Sequence, residues 1–172
     1  EKLQHGRPSG VDSYISLHGG CACFRQGAAT PLSLPRMKMY MVQTGIPQTT
    51  TGECVAEVER HFGKSAIWSE FEAVTNSFEQ AVRSNDAQKI HWLVRENNRL
   101  LAALGVVPEK VRRFIAEVEA WGGSAKVCGA GAVAGERCGV VLVFADDPPS
   151  ALCEKFGYTV SPVRGDPLGT RI

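Results

Sequence analysis

The 172-residue chain is 44% hydrophobic and 22% charged, a composition that fits one folded domain with an adequate core and excludes a disordered or fibrous protein. Nineteen Lys and Arg residues nearly balance eighteen Asp and Glu residues, and no basic run interleaves with aromatic residues, so we expect no nucleic acid partner. No apolar stretch approaches the roughly 20 residues of a bilayer span, and the first residues carry no signal-peptide core. The sequence therefore predicts a soluble protein with no membrane partner.

The six cysteines form no Cys-x-x-Cys pair and have no matching His spacing. They are predicted to be free thiols in a reducing cytoplasm. An alternative is that His18, Cys21 and Cys23 supply three metal ligands on a turn and a strand. The missing fourth ligand favours the simpler interpretation, since Cys is often only a small buried apolar residue.

The first 45 residues predict a short helix, a hairpin and a strand. Residues 8–18 fit a loop that leads into a helix, which Gly19 and Gly20 end. Short apolar runs broken by glycine and proline follow and predict a β-hairpin. Residues 39–42 are the best candidate for a central strand.

Four helices are predicted between about residues 52 and 121, because apolar residues recur there at helical spacing. The last has the clearest limits, with Pro108 in its first turn and Gly122 after its end. Strands are predicted at 125–128 and at 139–144, the latter apolar enough to be buried on both faces.

The final part of the chain predicts a short helix that opens at Asp147-Pro-Pro-Ser and a last strand at 158–163. Pro162 marks that strand as the edge of a sheet, because proline has no N–H to donate. The sum is an α+β domain in which helices cover one face of a mostly antiparallel sheet.

The segment His5-Gly-Arg-Pro-Ser-Gly-Val-Asp12, with Glu1 before it, places a small-residue turn at the start of a helix beside ionisable side chains. Free backbone N–H groups and the helix dipole favour an anion at such a place. This is a suitable geometry for handling phosphate. Taken alone, Ser9-Gly10-Val11-Asp12 is also an ordinary turn and helix cap.

The longer string, His-Gly-x-Pro-Ser-Gly-x-Asp, resembles the signature of the mevalonate kinases within the GHMP family of small-molecule kinases. The resemblance implies that Asp12 is the catalytic base or orients the substrate hydroxyl, and that Glu1 binds Mg²⁺. It further implies that His5 and Ser9 position substrate and phosphate, with Gly10 beside the cofactor. Phosphoryl transfer mainly requires alignment and charge neutralisation, so an ordinary carboxylate suffices as the base.

A second motif runs from Lys126 to Gly135 after the fourth predicted helix. Its small residues Gly129, Ala130 and Gly131 allow close approach of the backbone to another group, although a tight hairpin turn is the alternative. The stretch resembles the third GHMP motif, Lys-x-x-Gly-Ala-Gly-Gly-Gly-Gly, which implies that these three residues bind the ATP cofactor. The later glycines of the motif are replaced by Ala-Val-Ala at 132–134, which limits the expected phosphate contacts to Gly131 and the residues before it.

The segment from Val42 to Thr50 resembles the family's Asp-Thr-Gly-x-Pro-x-x-Thr strand end, with Gln43 in place of the Asp. The resemblance implies that Thr44 lies near bound substrate. The alternative is that this polar loop only caps the helix that follows, with Thr50 or Thr51 as its N-cap.

The resemblance implies a ferredoxin-like GHMP C-terminal domain at 37–172, preceded at 1–36 by a remnant of the N-terminal catalytic domain. The family's Gly-rich ATP loop is expected before Glu1, and the chain has no initiator Met. We therefore expect a fragment that is inactive alone, with a trimmed terminus as the alternative.

The parent protein is expected to phosphorylate mevalonate with ATP and Mg²⁺ in isoprenoid biosynthesis. One alternative is a GHMP kinase that acts on a sugar or on homoserine, and another is a non-catalytic metabolite-binding module. The apolar stripes of the helices also permit a homodimer.

Overall fold

A computed structural model describes residues 10–170 of the chain. The helices are α1 (Val11–His18), α2 (Thr51–Phe62), α3 (Ile67–Ser84), α4 (Ala87–Ala103), α5 (Glu109–Ala120) and α6 (Ser150–Phe156). The strands are β1 (Cys21–Arg25), β2 (Ala28–Leu32), β3 (Met39–Gly45), β4 (Ser124–Cys128), β5 (Gly139–Phe144) and β6 (Thr159–Val163). This order confirms the predicted succession of elements. Within residues 10–170, no helix is both long and apolar enough to cross a membrane.

The strands form two separate antiparallel sheets. β1 and β2 make a hairpin, and the other four strands form a sheet in the order β4-β5-β3-β6. Every neighbouring pair in the larger sheet is antiparallel. β6 lies at an edge, as Pro162 predicted, because an edge strand can lack one N–H without leaving a partner carbonyl unpaired. The α+β class is confirmed.

The main core lies on one face of the larger sheet. Alternate residues of a strand point to the same face, and this face carries buried Tyr40, Val42, Val141 and Val143. It packs against α5, whose buried residues recur every three or four positions, as an amphipathic helix requires. Those residues are Val111, Phe114, Ile115 and Val118.

Part of the opposite face is covered as well. Phe144, Leu142 and Met39 join a second cluster with apolar residues of α3 and α4, among them Val82 and Leu93. The sheet therefore has helices on both faces at this end, whereas the sequence predicted cover on one face. The reason is that α3 and α4 form a hairpin with an apolar seam of its own.

Polar contacts tie α4 to the beginning of β4. The Nδ1 atom of His91 lies 2.9 Å from the hydroxyl of fully buried Ser124, and Arg95 donates to the Gly123 carbonyl at 2.6 Å. Burial lowers the pKa of His91 below its ordinary value, and the charge of Arg95 lowers it further. His91 is thus held neutral where the helix meets the sheet.

The substitution Phe114→Ala should destabilise the fold strongly. Phe114 is fully buried, and its ring meets Phe156 and Tyr158 edge-on at centroid distances of 5.5 and 5.2 Å. A cavity of this size costs about 3–5 kcal/mol, measured as the free energy of unfolding in urea. The control Ile46→Ala, at a side chain 84% exposed, should change it by no more than about 0.5 kcal/mol. Equal losses of unfolding free energy in the two variants would contradict the assignment of Phe114 to the core.

The stability of the fold should depend on the charge state of His91. Above its ordinary pKa of 6.5 the imidazole is neutral in both the folded and the unfolded chain, so its contribution is fully present. As the pH falls below 6.5, the unfolded chain takes up the proton first, and stability declines until the lower folded pKa is passed. Urea titrations between about pH 5 and 8 should show a smaller decline for His91→Gln than for the wild type. If the stability of the wild type and of His91→Gln depended on pH in the same way, His91 would not be the cause of the decline.

Candidate functional site

Three connections meet at one end of the larger sheet. In the antiparallel register Gly45 lies opposite Gly139, and Cys128 lies opposite Val140. The residues that follow β3 and β4 are therefore neighbours, together with the turn between α4 and α5. We call residues 44–50 the strand-end segment and residues 129–135 the glycine loop.

Gly131 fixes the glycine loop to the turn that follows α4. Its φ is +71°, and a Cβ there would lie 2.1 Å from the carbonyl oxygen of Val106. The N–H of Ala132 donates to that same oxygen at 2.9 Å, and the Cys54 thiol lies 3.7 Å from the Gly131 carbonyl. Only glycine fits this position, so a requirement of the fold explains Gly131 without a ligand.

The other two residues predicted to bind the cofactor lie farther out. Gly129 is exposed, with a φ of +83°, and a Cβ there would meet no atom within 4 Å outside its chain neighbours. Ala130 is half-buried and lines an apolar groove of about 250 Å³ beside Cys54, Val58 and Trp68. Gly129 and Ala130 therefore present the accessible surface of the glycine loop.

Thr44 is buried at the end of β3, and its hydroxyl is engaged by the chain itself. The hydroxyl accepts a hydrogen bond from the Cys138 N–H at 3.0 Å and donates one to the Gly139 carbonyl at 3.0 Å. These bonds hold the beginning of β5 against the end of β3. The predicted contact with substrate stays a prediction, and the structure adds a structural role for Thr44.

The strand-end segment also caps α2, as the alternative interpretation held. Thr50 and Glu53 form a capping box, in which the Thr50 hydroxyl accepts from the Glu53 N–H at 3.2 Å and the Glu53 carboxylate accepts from the Thr50 N–H at 2.7 Å. Hydrogen bonds from the backbone and then the side chain of Thr50 lower the pKa of Glu53. This carboxylate is therefore used for capping.

Asp12 lies in the first turn of α1 and is exposed. α1 begins after Gly10, whose φ is +86°, and its Tyr14 ring packs on Phe24 of β1 at 5.9 Å. The C-terminal segment also holds α1, because the Thr170 N–H donates to the Ser16 carbonyl at 2.9 Å.

The structure thus joins Thr44 to Cys138 and Gly139, which follow the glycine loop, whereas Asp12 lies on α1 with its separate contacts. The predicted site residues Glu1, His5 and Ser9 lie outside the described residues.

A metal site is not formed by the residues the structure describes. Among positions 10–170, no three His, Cys, Asp or Glu side chains are placed to hold an ion. His18 stacks on Tyr14 at 4.4 Å, and the Cys23 sulfur accepts a hydrogen bond from Arg25 Nε at 3.3 Å, so the His18-Cys21-Cys23 alternative is not supported. All six cysteines are free. Glu1, the predicted ligand of Mg²⁺, lies outside the described residues.

The sequence prediction missed two side chains that cover the glycines of this region. The side chain of Arg137 lies over Gly45, and that of Gln48 lies over Gly135. Both contacts join segments about ninety residues apart in the chain. No local sequence signal indicates these contacts, because they depend on the register in which β3 pairs with β5.

Comparison with known proteins supports the family expected from the motifs. No protein-family model matches the chain. It is 31% identical to mouse mevalonate kinase over 156 residues, covering 83% of this chain and 38% of that protein. It is 32% identical to mevalonate kinase of Archaeoglobus fulgidus over 130 residues, covering 73% and 43%. The chain thus spans about two fifths of the length of these relatives.

Solved structures show the same fold. A crystal structure of a mevalonate kinase matches with a TM-score of 0.78 at 20% identity, over 99% of this chain and 54% of that one. L. major mevalonate kinase in complex with R-mevalonate matches with a TM-score of 0.63 at 20% identity, over 89% and 48%. The chain therefore has the α+β fold of GHMP kinases over about half of their length. The chain is therefore homologous to the mevalonate kinases of the GHMP family and matches a portion of these proteins.

Alanine substitutions at Gly131 and Gly129 should separate structural from exposed positions in the glycine loop. Both glycines have positive φ, so each variant loses about 1–2 kcal/mol of stability to backbone strain. Gly131→Ala should lose a further 1–3 kcal/mol or so, because its Cβ would clash with the Val106 carbonyl. Thermal unfolding of the two variants measures the difference. Equal melting temperatures would show that Gly131 does not hold the loop.

Proposed function

We propose that the protein containing this chain is a kinase that uses ATP and Mg²⁺ to phosphorylate the primary hydroxyl of mevalonate. The observation that carries the proposal is the homology to mevalonate kinases over 83% of the chain, combined with the family's Ser-Gly-x-Asp motif at the start of α1. The chain covers only 38% of the mouse relative, so the activity of the whole protein belongs to the proposal. The cytoplasm is proposed as its location on the same basis.

Asp12 has the central chemical role in this proposal. It would accept the proton of the substrate hydroxyl as the terminal phosphate of ATP is transferred. Its position in the first turn of α1 suits an anionic substrate, because the helix dipole favours negative charge there. His5 and Ser9 would orient the substrate, and Glu1 would hold Mg²⁺, as the resemblance implies.

The glycine loop is proposed to approach the nucleotide through Gly129 and Ala130. These residues are the accessible part of the loop, whereas Gly131 packs on Val106. When bound, ATP would supply the phosphoryl group and Mg²⁺ would neutralise its charge. Thr44 shapes the same region by holding β5 on β3, whether or not its hydroxyl also reaches the substrate.

The division of the chain at residue 36 is also a proposal. It is supported by the two separate sheets, because the β1–β2 hairpin does not pair with the four-stranded sheet. Residues 1–36 would belong to an N-terminal catalytic domain and residues 37–172 to the C-terminal domain.

The choice of mevalonate over other acceptors is supported by the relatives, all of which are named mevalonate kinase, and by the L. major enzyme solved with R-mevalonate. GHMP kinases that act on sugars or homoserine are the alternative.

The proposal predicts that the full-length protein phosphorylates mevalonate and that Asp12→Asn reduces kcat about 100-fold or more. Asparagine keeps the shape of the side chain and loses the ability to accept a proton. Coupled measurement of ADP release, with mevalonate, galactose and homoserine as separate acceptors, tests both parts.

The matched control is Asp147→Asn, which removes an exposed carboxylate after β5 and should keep the activity. Full activity of Asp12→Asn would remove Asp12 from its role. Turnover of galactose or homoserine in place of mevalonate would favour the other GHMP kinases. Binding of mevalonate or ATP without turnover of any acceptor would favour a non-catalytic module.

A further inference from the structure

Arg137 lies across the end of β3 in a position that only glycine at residue 45 allows. A Cβ on Gly45 would lie 2.7 Å from Cδ, 3.1 Å from Nε and 3.3 Å from one terminal nitrogen of Arg137. Gly45 has a φ of +107°, a region that side chains other than glycine rarely adopt. The guanidinium is therefore placed beside Gly45, at the end of β3, by the packing of its own stem.

The backbone on both sides of Arg137 is held as well. On one side, the Cys138 N–H donates to the buried Thr44 hydroxyl at 3.0 Å. On the other side, Gly135 lies against Gln48, whose Oε1 would be 2.5 Å from a Cβ at that position. An exposed arginine on a loop would ordinarily lose much conformational entropy on binding a ligand. Here part of that ordering is already present.

The charge of Arg137 is not neutralised by a bonded partner within residues 10–170. The adjacent carboxylate, Glu136, lies 3.6 Å from Lys110, and Arg137 has neither a hydrogen bond nor an ion pair in the described part of the chain.

The pKa of the buried Tyr158 phenol depends on the charges of Glu136 and Arg137, among others. The pKa of Tyr158 is raised to about 12, mainly by burial and then by Cys138 and Glu136, while Arg113 and Arg137 act in the opposite direction. The Lys110 ammonium lies both 3.6 Å from Glu136 and 5.8 Å from the centroid of the Tyr158 ring, so Glu136 already has a cationic partner other than Arg137.

We infer that Arg137 binds an oxyanion of one of the two reactants, either the carboxylate of the acceptor or a phosphate of the nucleotide. The inference rests on the proposed kinase function and adds a substrate-positioning residue to it. A guanidinium offers paired N–H donors that match the oxygens of carboxylate and phosphate. In this chain Ala-Val-Ala replaces the later glycines of the motif, and the loop instead carries a cation a few residues further on.

Steady-state kinetics of Arg137→Gln in the full-length protein tests the inference. The KM for one reactant should rise about 10- to 100-fold, the usual effect of losing hydrogen bonds to a charged group, with a smaller change in kcat. A rise in the KM for mevalonate identifies the carboxylate, and a rise in the KM for ATP identifies the phosphate. Arg137→Lys should recover part of the loss, because it restores the charge without the paired donors.

The matched control is Arg60→Gln on α2, which removes an exposed arginine paired with Glu57 at 2.6 Å and should leave both KM values unchanged. In addition, the affected KM of the wild type should rise more steeply with salt than that of Arg137→Gln. The inference alone is overturned if the wild type is active and both KM values of Arg137→Gln stay within about twofold of the wild-type values. Loss of a real contact would raise KM about tenfold. If the wild type phosphorylates none of the acceptors, the proposed function fails first and the inference falls with it.

Discussion

The hydroxyl of Thr44 bridges the end of β3 and the beginning of β5, and most of the candidate site depends on that bridge. A threonine oxygen can donate one hydrogen bond and accept others, and here it satisfies a buried N–H and a carbonyl of the facing chain. Leaving either group unpaired would cost about 1–3 kcal/mol. Because the register shifts between Gln43 and Gly45, the bridge also fixes which residues of the β4–β5 connection reach the strand-end segment.

The glycines of this region serve different purposes, and the distinction bears on how the family motif should be interpreted. Gly131 is crowded by Val106, and Gly45 is crowded by Arg137, so in both places the missing side chain makes room for a neighbour within the chain. Gly129 has open space instead and needs glycine only for its backbone conformation. A conserved pattern of small residues in such a loop would thus combine folding constraints with contacts to a ligand. Only the positions with open space around them, such as Gly129, are candidates for contact with a ligand.

Much of the fold followed from local sequence signals because those signals act within a few residues. Pro108 and Gly122 bound α5 closely, and Pro162 marked the edge strand. Helical spacing of apolar residues was a less accurate guide to the buried face of α2, where Val55 is 60% exposed while Cys54 is buried. Cys54 faces the Gly131 carbonyl, a partner 77 residues away, so the buried face of α2 is set by a tertiary contact that helical spacing cannot supply.

The candidate site was predictable to the extent that its motifs are continuous in sequence. The glycine loop and the start of α1 were identified from such strings, and the homology to mevalonate kinases supports that interpretation. Arg137 was not identified, because its neighbour Gly45 is separated from it by four helices and a strand. The same holds for the burial of Thr44, which depends on how β5 pairs with β3. Sequence indicated which segments are candidates for the site, and only the register shows which side chains meet.

The coupling between Thr44 and Arg137 affects how any variant of either residue should be understood. Thr44 holds the Cys138 N–H, and Cys138 directly follows Arg137, so a change at Thr44 would also displace the guanidinium. Reduced activity in a Thr44 variant would therefore not by itself indicate that the threonine touches substrate. Serine at this position keeps the hydroxyl and its two bonds, whereas valine keeps the shape and loses them. If the hydroxyl acts through Arg137, the effects of the Thr44 and Arg137 substitutions should be less than additive, because each removes the same interaction.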